Sequence, residues 1–160
     1  MTKRAVRRVA LVLAGTVIGW LVPMATRFAS ERFYTANDTL AILARMRREL
    51  LLDGYGLFFV GVVNAVPFAV GLVLAAVTGA VAPRLNSLMR WFGWGLLVVL
   101  VGITAVSNLA VWNDLYGPGR PHSTACLAFL VVPGYATVAV LVAYLATLSA
   151  AAVASLRRRA

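Results

Sequence analysis

The chain has 160 residues, of which 62% are hydrophobic and 12% charged, and its formal net charge is +10. Soluble domains are about 45–50% apolar and about 25% charged, and a chain of this size has too small an interior to hide the excess apolar surface from water. We therefore expect one membrane domain spanning residues 1–160. The basic residues flank apolar stretches instead of forming one patch, which indicates contact with anionic lipid and not with nucleic acid.

Four stretches are long and apolar enough to cross a bilayer, since a helical crossing takes about 20 mostly apolar residues. They are residues 9–25, 55–82, 88–112 and 124–154. Apart from Arg90 near the start of the third stretch, none contains Asp, Glu, Lys, Arg or His. Proton-coupled transporters usually keep such a group inside the membrane. The pattern predicts an all-α polytopic membrane protein built on a four-helix transmembrane bundle, and disfavours an autonomous proton-driven transporter.

The charged residues between these stretches predict their direction. Basic residues without any acid occupy the chain start, the link between the second and third stretches, and the chain end: Lys3, Arg4, Arg7, Arg8, Arg84, Arg90, Arg157, Arg158 and Arg159. Every acidic residue lies in the other two links: Glu31, Asp38, Glu49, Asp53 and Asp114. Because Lys and Arg are enriched on the cytoplasmic side, we expect both termini in the cytoplasm. With the Arg- and Ala-rich composition, this indicates a bacterial inner membrane.

The first stretch contains GTVIG, which places Gly15 and Gly19 one helical turn apart. Such a pair lets two helix backbones approach closely, and this contact drives helix association in lipid. It predicts tight packing around the first helix. The basic start and short apolar run also fit a signal peptide. However, Pro23 stands where cleavage after Ala25 would need a small residue, so we expect a retained anchor.

The long link between the first two stretches predicts one further helix, over about residues 38–52. Its TAND sequence resembles a capping box, with Asn37 or Asp38 at the helix start. Apolar and charged residues fall on different faces: Leu40, Leu43, Ala44, Leu50 and Leu51 against Arg45, Arg48 and Glu49. We expect an amphipathic helix that lies on the extracytoplasmic membrane surface or lids the bundle, with its arginines at lipid phosphates. The alternative is that RMRR binds a partner protein or an anionic substrate.

Prolines and polar or small residues inside the later stretches predict how these helices pack. Pro67 and Pro133 interrupt backbone hydrogen bonding at mid-span, and Asn64 is expected to satisfy the carbonyl of Val63 that Pro67 leaves without a donor. The third stretch carries a polar stripe: Thr104, Ser107 and Asn108. The fourth carries a seam of small residues: Ala143, Ala146, Ala150 and Ala154. Both patterns suit close contacts between helices.

Polar and turn-forming residues crowd into residues 106–126, VSNLAVWNDLYGPGRPHSTAC. One hypothesis is an outward-opening polar pocket whose candidate residues come from the helices and this segment: Asn64, Thr104, Ser107, Asn108, Asp114, Tyr116, Arg120 and His122, with Thr124 and Cys126 beside them. Asp114 and His122 could exchange a proton, or Asp114 and Arg120 could hold a zwitterionic ligand. The favoured interpretation is a structural connector, because YGPGRP is turn chemistry and interhelical Asn bonds often serve packing alone.

The sequence lacks the residue sets that common active sites need. One cysteine excludes an intramolecular disulfide and a Cys-rich zinc site, and one histidine excludes bis-histidine haem ligation. There is no Gly-rich phosphate loop, no metalloprotease motif and no nucleophile–base pair. We therefore expect no cofactor and no metal, and consider an enzyme the less favoured class.

The favoured function is a non-catalytic accessory, assembly or regulatory subunit of a larger membrane complex. Three alternatives remain: a small homo-oligomeric channel or facilitator for a small solute, a membrane enzyme or binder of a lipid-like ligand that uses the outward pocket, and a binding protein that neutralises an external partner. The expected partners are the lipid bilayer, including its anionic lipids, and another membrane protein or a second copy of the chain.

Overall fold

The computed structural model describes residues 3–35, 37–51, 56–118 and 125–157. Of this described part 96% is helical, and it contains no strand. The helices are α1 (Lys3–Tyr34), α2 (Thr39–Leu51), α3 (Gly56–Val81), a short 3₁₀ helix (Pro83–Leu85), α4 (Asn86–Tyr116) and α5 (Ala125–Arg157). Four segments are long and apolar enough to cross a membrane: Lys3–Tyr34, Gly56–Val81, Pro83–Tyr116 and Leu127–Leu156. The prediction of an all-helical chain with four candidate spans is confirmed.

Helix α1 is longer than its predicted crossing, residues 9–25, because it continues without a break to Tyr34. Nothing in the continuation stops a helix: residues 26–34 contain neither Gly nor Pro, and the amide of Thr35 still donates to the carbonyl of Glu31 at 2.9 Å. The first part of the predicted link is therefore helical. Arg27 and Glu31, expected in an exposed link, are buried side chains on a helix.

Contacts between distant residues show that successive long helices reverse direction. Arg8, near the start of α1, donates to the carbonyl of Gly79 at the end of α3 and to Asn86 at the start of α4. At the opposite end, Trp112 of α4 donates to the carbonyl of Pro23. We call these the arginine end and the α2 end of the bundle, because α2 follows α1 at the latter.

Helix α3 is the centre of the bundle and contacts every other helix, whereas α1 and α5 do not contact each other in the described part. The mid-bundle core consists of apolar residues from α3, α4 and α5: Phe68, Leu97, Leu100, Ala136 and Val140. A second core lies at the α2 end: Met24, Leu57, Val111, Trp112 and Phe129. Helix α5 is the most peripheral, since little of its apolar window is covered by the chain.

Close approach between α1 and α3 depends on glycines. Gly15 faces the side chain of Leu72, and a Cβ added to Gly19 would lie 2.5 Å from Cδ2 of Phe68. Phe68 is fully buried, so its ring has no free space to move into. The GTVIG segment of α1 thus packs against α3 of the same chain.

Both predicted mid-span prolines, Pro67 and Pro133, lie inside helices and are buried. The prediction that Asn64 satisfies the carbonyl of Val63 is wrong. The side-chain amide of Asn64 donates to the carbonyl of Val60 at 2.9 Å and not to that of Val63. The reason is helical geometry, because a side chain leans toward the preceding turn and reaches the carbonyl four residues back.

Replacing Gly19 by Ala should destabilise the fold by about 1–3 kcal/mol, the usual penalty for overpacking a filled core. Gly102→Ala is the matched control, because Gly102 lies within α4 and a Cβ there meets no atom within 4 Å. Thermal unfolding in detergent, followed by helical circular dichroism, measures both. Equal melting temperatures for the two variants would contradict the close approach of α1 to Phe68.

Candidate functional site

The pattern Arg-x-x-x-Glu occurs in both helices of the α1–α2 hairpin, as Arg27 and Glu31 in α1 and Arg45 and Glu49 in α2. The two helices run antiparallel, so equal spacing brings each arginine to the glutamate of the other helix. Arg27 Nη1 lies 2.5 Å from Glu49 Oε2, and Arg45 Nη1 lies 2.8 Å from Glu31 Oε1. We call these four residues the charge clamp; its two positive and two negative charges cancel.

Arg27 is the best-satisfied member of the charge clamp. Its other terminal nitrogen, Nη2, donates to Glu49 Oε1 at 2.6 Å, while Nη1 is within ion-pair distance of Glu49 and makes no hydrogen bond to a described residue. Its Nε donates to the hydroxyl of Tyr116 at 3.0 Å, and its guanidinium carbon lies 5.7 Å from the centre of the Trp112 ring. Carboxylate partners and aromatic faces are the environments that suit a buried guanidinium, so Arg27 joins α1 to both α2 and α4.

The burial of the Glu31 carboxylate depends more on neighbouring positive charge than on hydrogen bonds. Its side chain is 0% exposed, and its oxygens accept no hydrogen bond from the described residues. Arg45 is 2.8 Å away and Arg27 is 3.6 Å away. A carboxylate without such neighbours would be very unfavourable in this place. The two arginines are therefore a condition for burying Glu31.

Two further polar contacts fasten the end of α4 to α1. The indole nitrogen of Trp112 donates to the carbonyl of Pro23 at 3.2 Å, and the hydroxyl of Ser30 donates to Asn113 Oδ1 at 2.8 Å. Trp112 also packs against Phe129 of α5, with ring centres 4.6 Å apart. One connected set of side chains thus joins four helices at the α2 end. Such a set is suited to fixing the positions of these helices relative to one another.

Three predicted pocket residues lie together between α3 and α4. Asn64, Thr104 and Asn108 are buried, and Asn108 Nδ2 donates both to Asn64 Oδ1 at 3.1 Å and to the carbonyl of Thr104 at 2.9 Å. Ser107 is only half-buried. Asn108 Oδ1 accepts no hydrogen bond from the residues that the structure describes.

The rest of the predicted pocket is only partly visible. Tyr116 meets Arg27, and Asp114 is half-buried near the end of α4. Arg120, His122 and Thr124 lie outside the described residues, as does the side chain of Cys126. The pocket roofed by residues 106–126 therefore stays a prediction.

Two cavities found among the described residues lie elsewhere. One, of about 670 Å³, opens at the arginine end between α1, α3 and α4. The other, of about 330 Å³, is an apolar groove between α1 and α3 beside Trp20. Neither is lined by the charge clamp or by the Asn64–Asn108 pair.

Arg27, Glu31 and Glu49 are not among the predicted pocket residues, although the sequence carries a signal for them. Two Arg-x-x-x-Glu segments stand on either side of a short link, at residues 27–31 and 45–49. If both segments are helical and the link reverses the chain, the opposite charges must meet crosswise. Treating residues 26–37 as an irregular link concealed this relation.

Comparison with protein-family models, with curated proteins and with solved structures returns no match. Four helices long and apolar enough to span a membrane indicate a membrane protein. One end of their bundle is held by the charge clamp, and a polar Asn–Asn contact joins α3 and α4 inside it.

Removing the positive charge of Arg27 should destabilise the fold by about 1.5–3 kcal/mol, because Glu49 loses its charged donor and Glu31 keeps only Arg45. Arg27→Gln tests this, and Arg32→Gln is the control, since Arg32 is exposed on the same helix and should change stability by less than about 0.5 kcal/mol. Glu31→Gln should be milder than Arg27→Gln, because Arg27 keeps Glu49. Chemical unfolding in detergent gives all three values; equal effects of the two arginine variants would refute the clamp.

The Asn64–Asn108 contact should appear as a coupling of about 0.6 kcal/mol in a double-mutant cycle, the average for interhelical hydrogen bonds in membranes. The variants are Asn64→Leu, Asn108→Leu and their combination, compared by unfolding in detergent. Coupling of Asn64→Leu with Ser107→Ala should be near zero, because no hydrogen bond joins that pair. Purely additive effects of the two Asn variants would contradict the contact.

Proposed function

We propose that this chain is a non-catalytic accessory, assembly or regulatory subunit of a larger membrane complex. The observation that carries the proposal is the small-residue seam of α5. All of its members are left uncovered by the rest of the chain: Ala143, Ala146, Ala150 and Ala154. Small residues in a row let another helix approach closely, which is how helices associate where lipid supplies no hydrophobic force.

The contrast with other small residues supports this assignment. Gly15 and Gly19 of α1, and Gly71 of α3, are covered by side chains of the same chain. Helix α5 packs on the bundle earlier along its length, through residues that include Phe129, Ala136 and Val140. Because Tyr144 meets Thr78 close to the end of α3, most of the seam lies where α5 continues past that helix. A helix of another subunit is the occupant that its shape suits.

We further propose the inner membrane of a bacterium as the location, with both termini in the cytoplasm. Arg8 and Arg27 lie 19 residues apart on α1, which is about 28 Å along a helix and close to the hydrocarbon thickness of about 30 Å. Both side chains are tied to other helices. This spacing would put the arginine end at the cytoplasmic surface, where basic residues are enriched, and the charge clamp at the opposite surface.

Helix α2 would then lie at the extracytoplasmic surface as an interfacial helix. Its bundle-facing residues include Ile42, which is fully buried, and Met46. Of its predicted apolar face, Leu50 packs against the core at the α2 end, whereas Leu40, Leu43 and Leu51 are exposed. An apolar strip turned away from the bundle, with Arg47 among it, is suited to the boundary between lipid tails and phosphates.

The channel alternative has less support from the geometry. Thr104 and Asn108, the inner part of the polar stripe, are buried between α3 and α4 of one chain. They are used for hydrogen bonds there. A pore lined by the stripe would need α4 to turn this face toward a symmetry axis.

The subunit proposal predicts that a bulky residue on the α5 seam separates the chain from its complex. Ala146→Trp and Ala150→Trp should shift the solubilised chain on a native gel from a large species to the size of the free chain, because a large ring prevents close helix approach. Leu145→Trp is the control, since Leu145 is exposed on another face of α5. The free-chain size for the unaltered protein in gentle detergent, or identical migration of all variants, would refute the proposal.

A further inference from the structure

The cavity at the arginine end combines a basic rim with an apolar interior. Its volume of about 670 Å³ falls in the range of small-molecule binding sites, about 300–1,000 Å³. It is lined from three helices, α1, α3 and α4. Because it opens at the end of the bundle, a bound molecule would reach from the surface into the space between these helices.

The rim carries positive charge that the described part of the chain does not neutralise. Four arginines line the cavity: Arg4, Arg7, Arg8 and Arg90, and no acidic residue lines it. Arg8 is held in place by Gly79 O at 2.8 Å and Asn86 Oδ1 at 2.7 Å. The other three are exposed and form no ion pair with a described residue. Unpaired guanidinium groups suit a phosphate, because each can donate two parallel hydrogen bonds to two phosphate oxygens.

Below the rim the wall is apolar. Leu11, Ala14 and Trp94 line it and expose part of their surface, whereas Leu72 and Met89 lie behind them and are almost fully buried. The open space exists because alanines stand where larger side chains would fill it, among them Ala14 and Ala76. Inorganic phosphate gains nothing from such a wall, whereas an acyl chain is stabilised by contact with it.

The charge clamp shows that this rim is a distinct kind of surface. At the α2 end, Arg27 and Arg45 are matched by Glu49 and Glu31. At the arginine end a similar density of arginines has no carboxylate partner in the cavity lining. The positive charge there is available to an anion from outside the chain.

We propose that the cavity is a binding site for a phosphate-bearing amphiphile, namely an anionic phospholipid whose headgroup phosphate meets Arg4, Arg7 and Arg90. The first part of an acyl chain lies against Leu11, Ala14 and Trp94. Trp94 also lines the cavity and is exposed, so the quenching that is lost in a Trp94→Phe variant reports occupancy. This site requires neither the α5 seam nor a partner subunit.

The experiment titrates the purified full chain, in a neutral detergent, with phosphatidylglycerol whose acyl chains are brominated, and follows quenching of tryptophan fluorescence. Brominated phosphatidylcholine and glycerol phosphate without an acyl chain are the comparison ligands, the latter as a competitor. We expect saturable quenching by phosphatidylglycerol and little by phosphatidylcholine. Glycerol phosphate should not compete at matched concentration. Competition at that concentration would mean a free phosphate site and overturn the lipid assignment.

Two variants locate the site. Removing the rim charges by Arg4→Gln, Arg7→Gln and Arg90→Gln should weaken phosphatidylglycerol binding by about tenfold or more, because the phosphate loses its charge-assisted contacts. Removing three exposed charges at the other end, by Arg32→Gln, Arg47→Gln and Arg48→Gln, should leave it unchanged. An equal loss in both triple variants would show attraction by net charge alone and overturn the proposal.

Filling the cavity provides a test that leaves the charge intact. Ala14→Phe places a ring in the cavity from an exposed position of α1, and should reduce phosphatidylglycerol binding to the level of the rim-charge variant. Circular dichroism verifies that each variant keeps its helices. Unchanged binding by a folded Ala14→Phe variant would show that lipid does not enter the cavity and would refute the proposal, whatever the rim-charge variant does.

Discussion

The structure depends on one constraint: a charged or hydrogen-bonding group that is buried away from water must find its partner within the protein, because apolar surroundings offer none. The charge clamp meets this constraint at the α2 end. Glu31 can be buried only because Arg45 and Arg27 lie within ion-pair distance. Arg27 can be buried only because Glu49 and Tyr116 accept hydrogen bonds from its guanidinium. Through this dependence the α1–α2 hairpin obtains its register. A shift of α2 by one turn would separate both cross pairs together.

The same constraint explains how the small residues are distributed. Apolar side chains gain little from meeting each other instead of lipid, so helices in membranes are held by close backbone approach and van der Waals contact. Gly19 of α1 and Gly71 of α3 provide that approach inside the chain. The alanines of α5 provide nothing inside it, since Ala146 and its seam neighbours are uncovered. The seam has the shape that suits close contact with a helix, and no described helix covers it. This is the physical basis for proposing a partner subunit.

Much of the fold could be predicted from the sequence, because hydropathy measures which segments prefer lipid to water; this identified the four candidate spans. It does not measure where a helix ends, so the continuation of α1 through Arg27 and Glu31 was missed. The charge clamp also required a tertiary relation, the antiparallel register of α1 and α2, that neither helix displays alone. For α2, the separation of apolar from charged positions was visible, but not that Ile42 and Met46 would face the bundle while Leu40 faces away. That choice depends on where Arg45 and Glu49 find their partners.

Both ends of the bundle carry several arginines, but only those at the α2 end are paired with glutamates. This difference underlies the proposed orientation and the proposed lipid site. At the α2 end each arginine is paired with a glutamate. The charge clamp is therefore neutral, and it suits holding the helices in fixed positions. At the arginine end the positive charge has no acidic partner in the cavity lining, and the alanines of α1 and α3 leave space beneath it. Arginines that orient a helix in the membrane need only lie at its end. Arginines that also surround a cavity with an apolar wall can select a ligand, and an anionic lipid is the one whose phosphate and acyl chain match both parts of this lining.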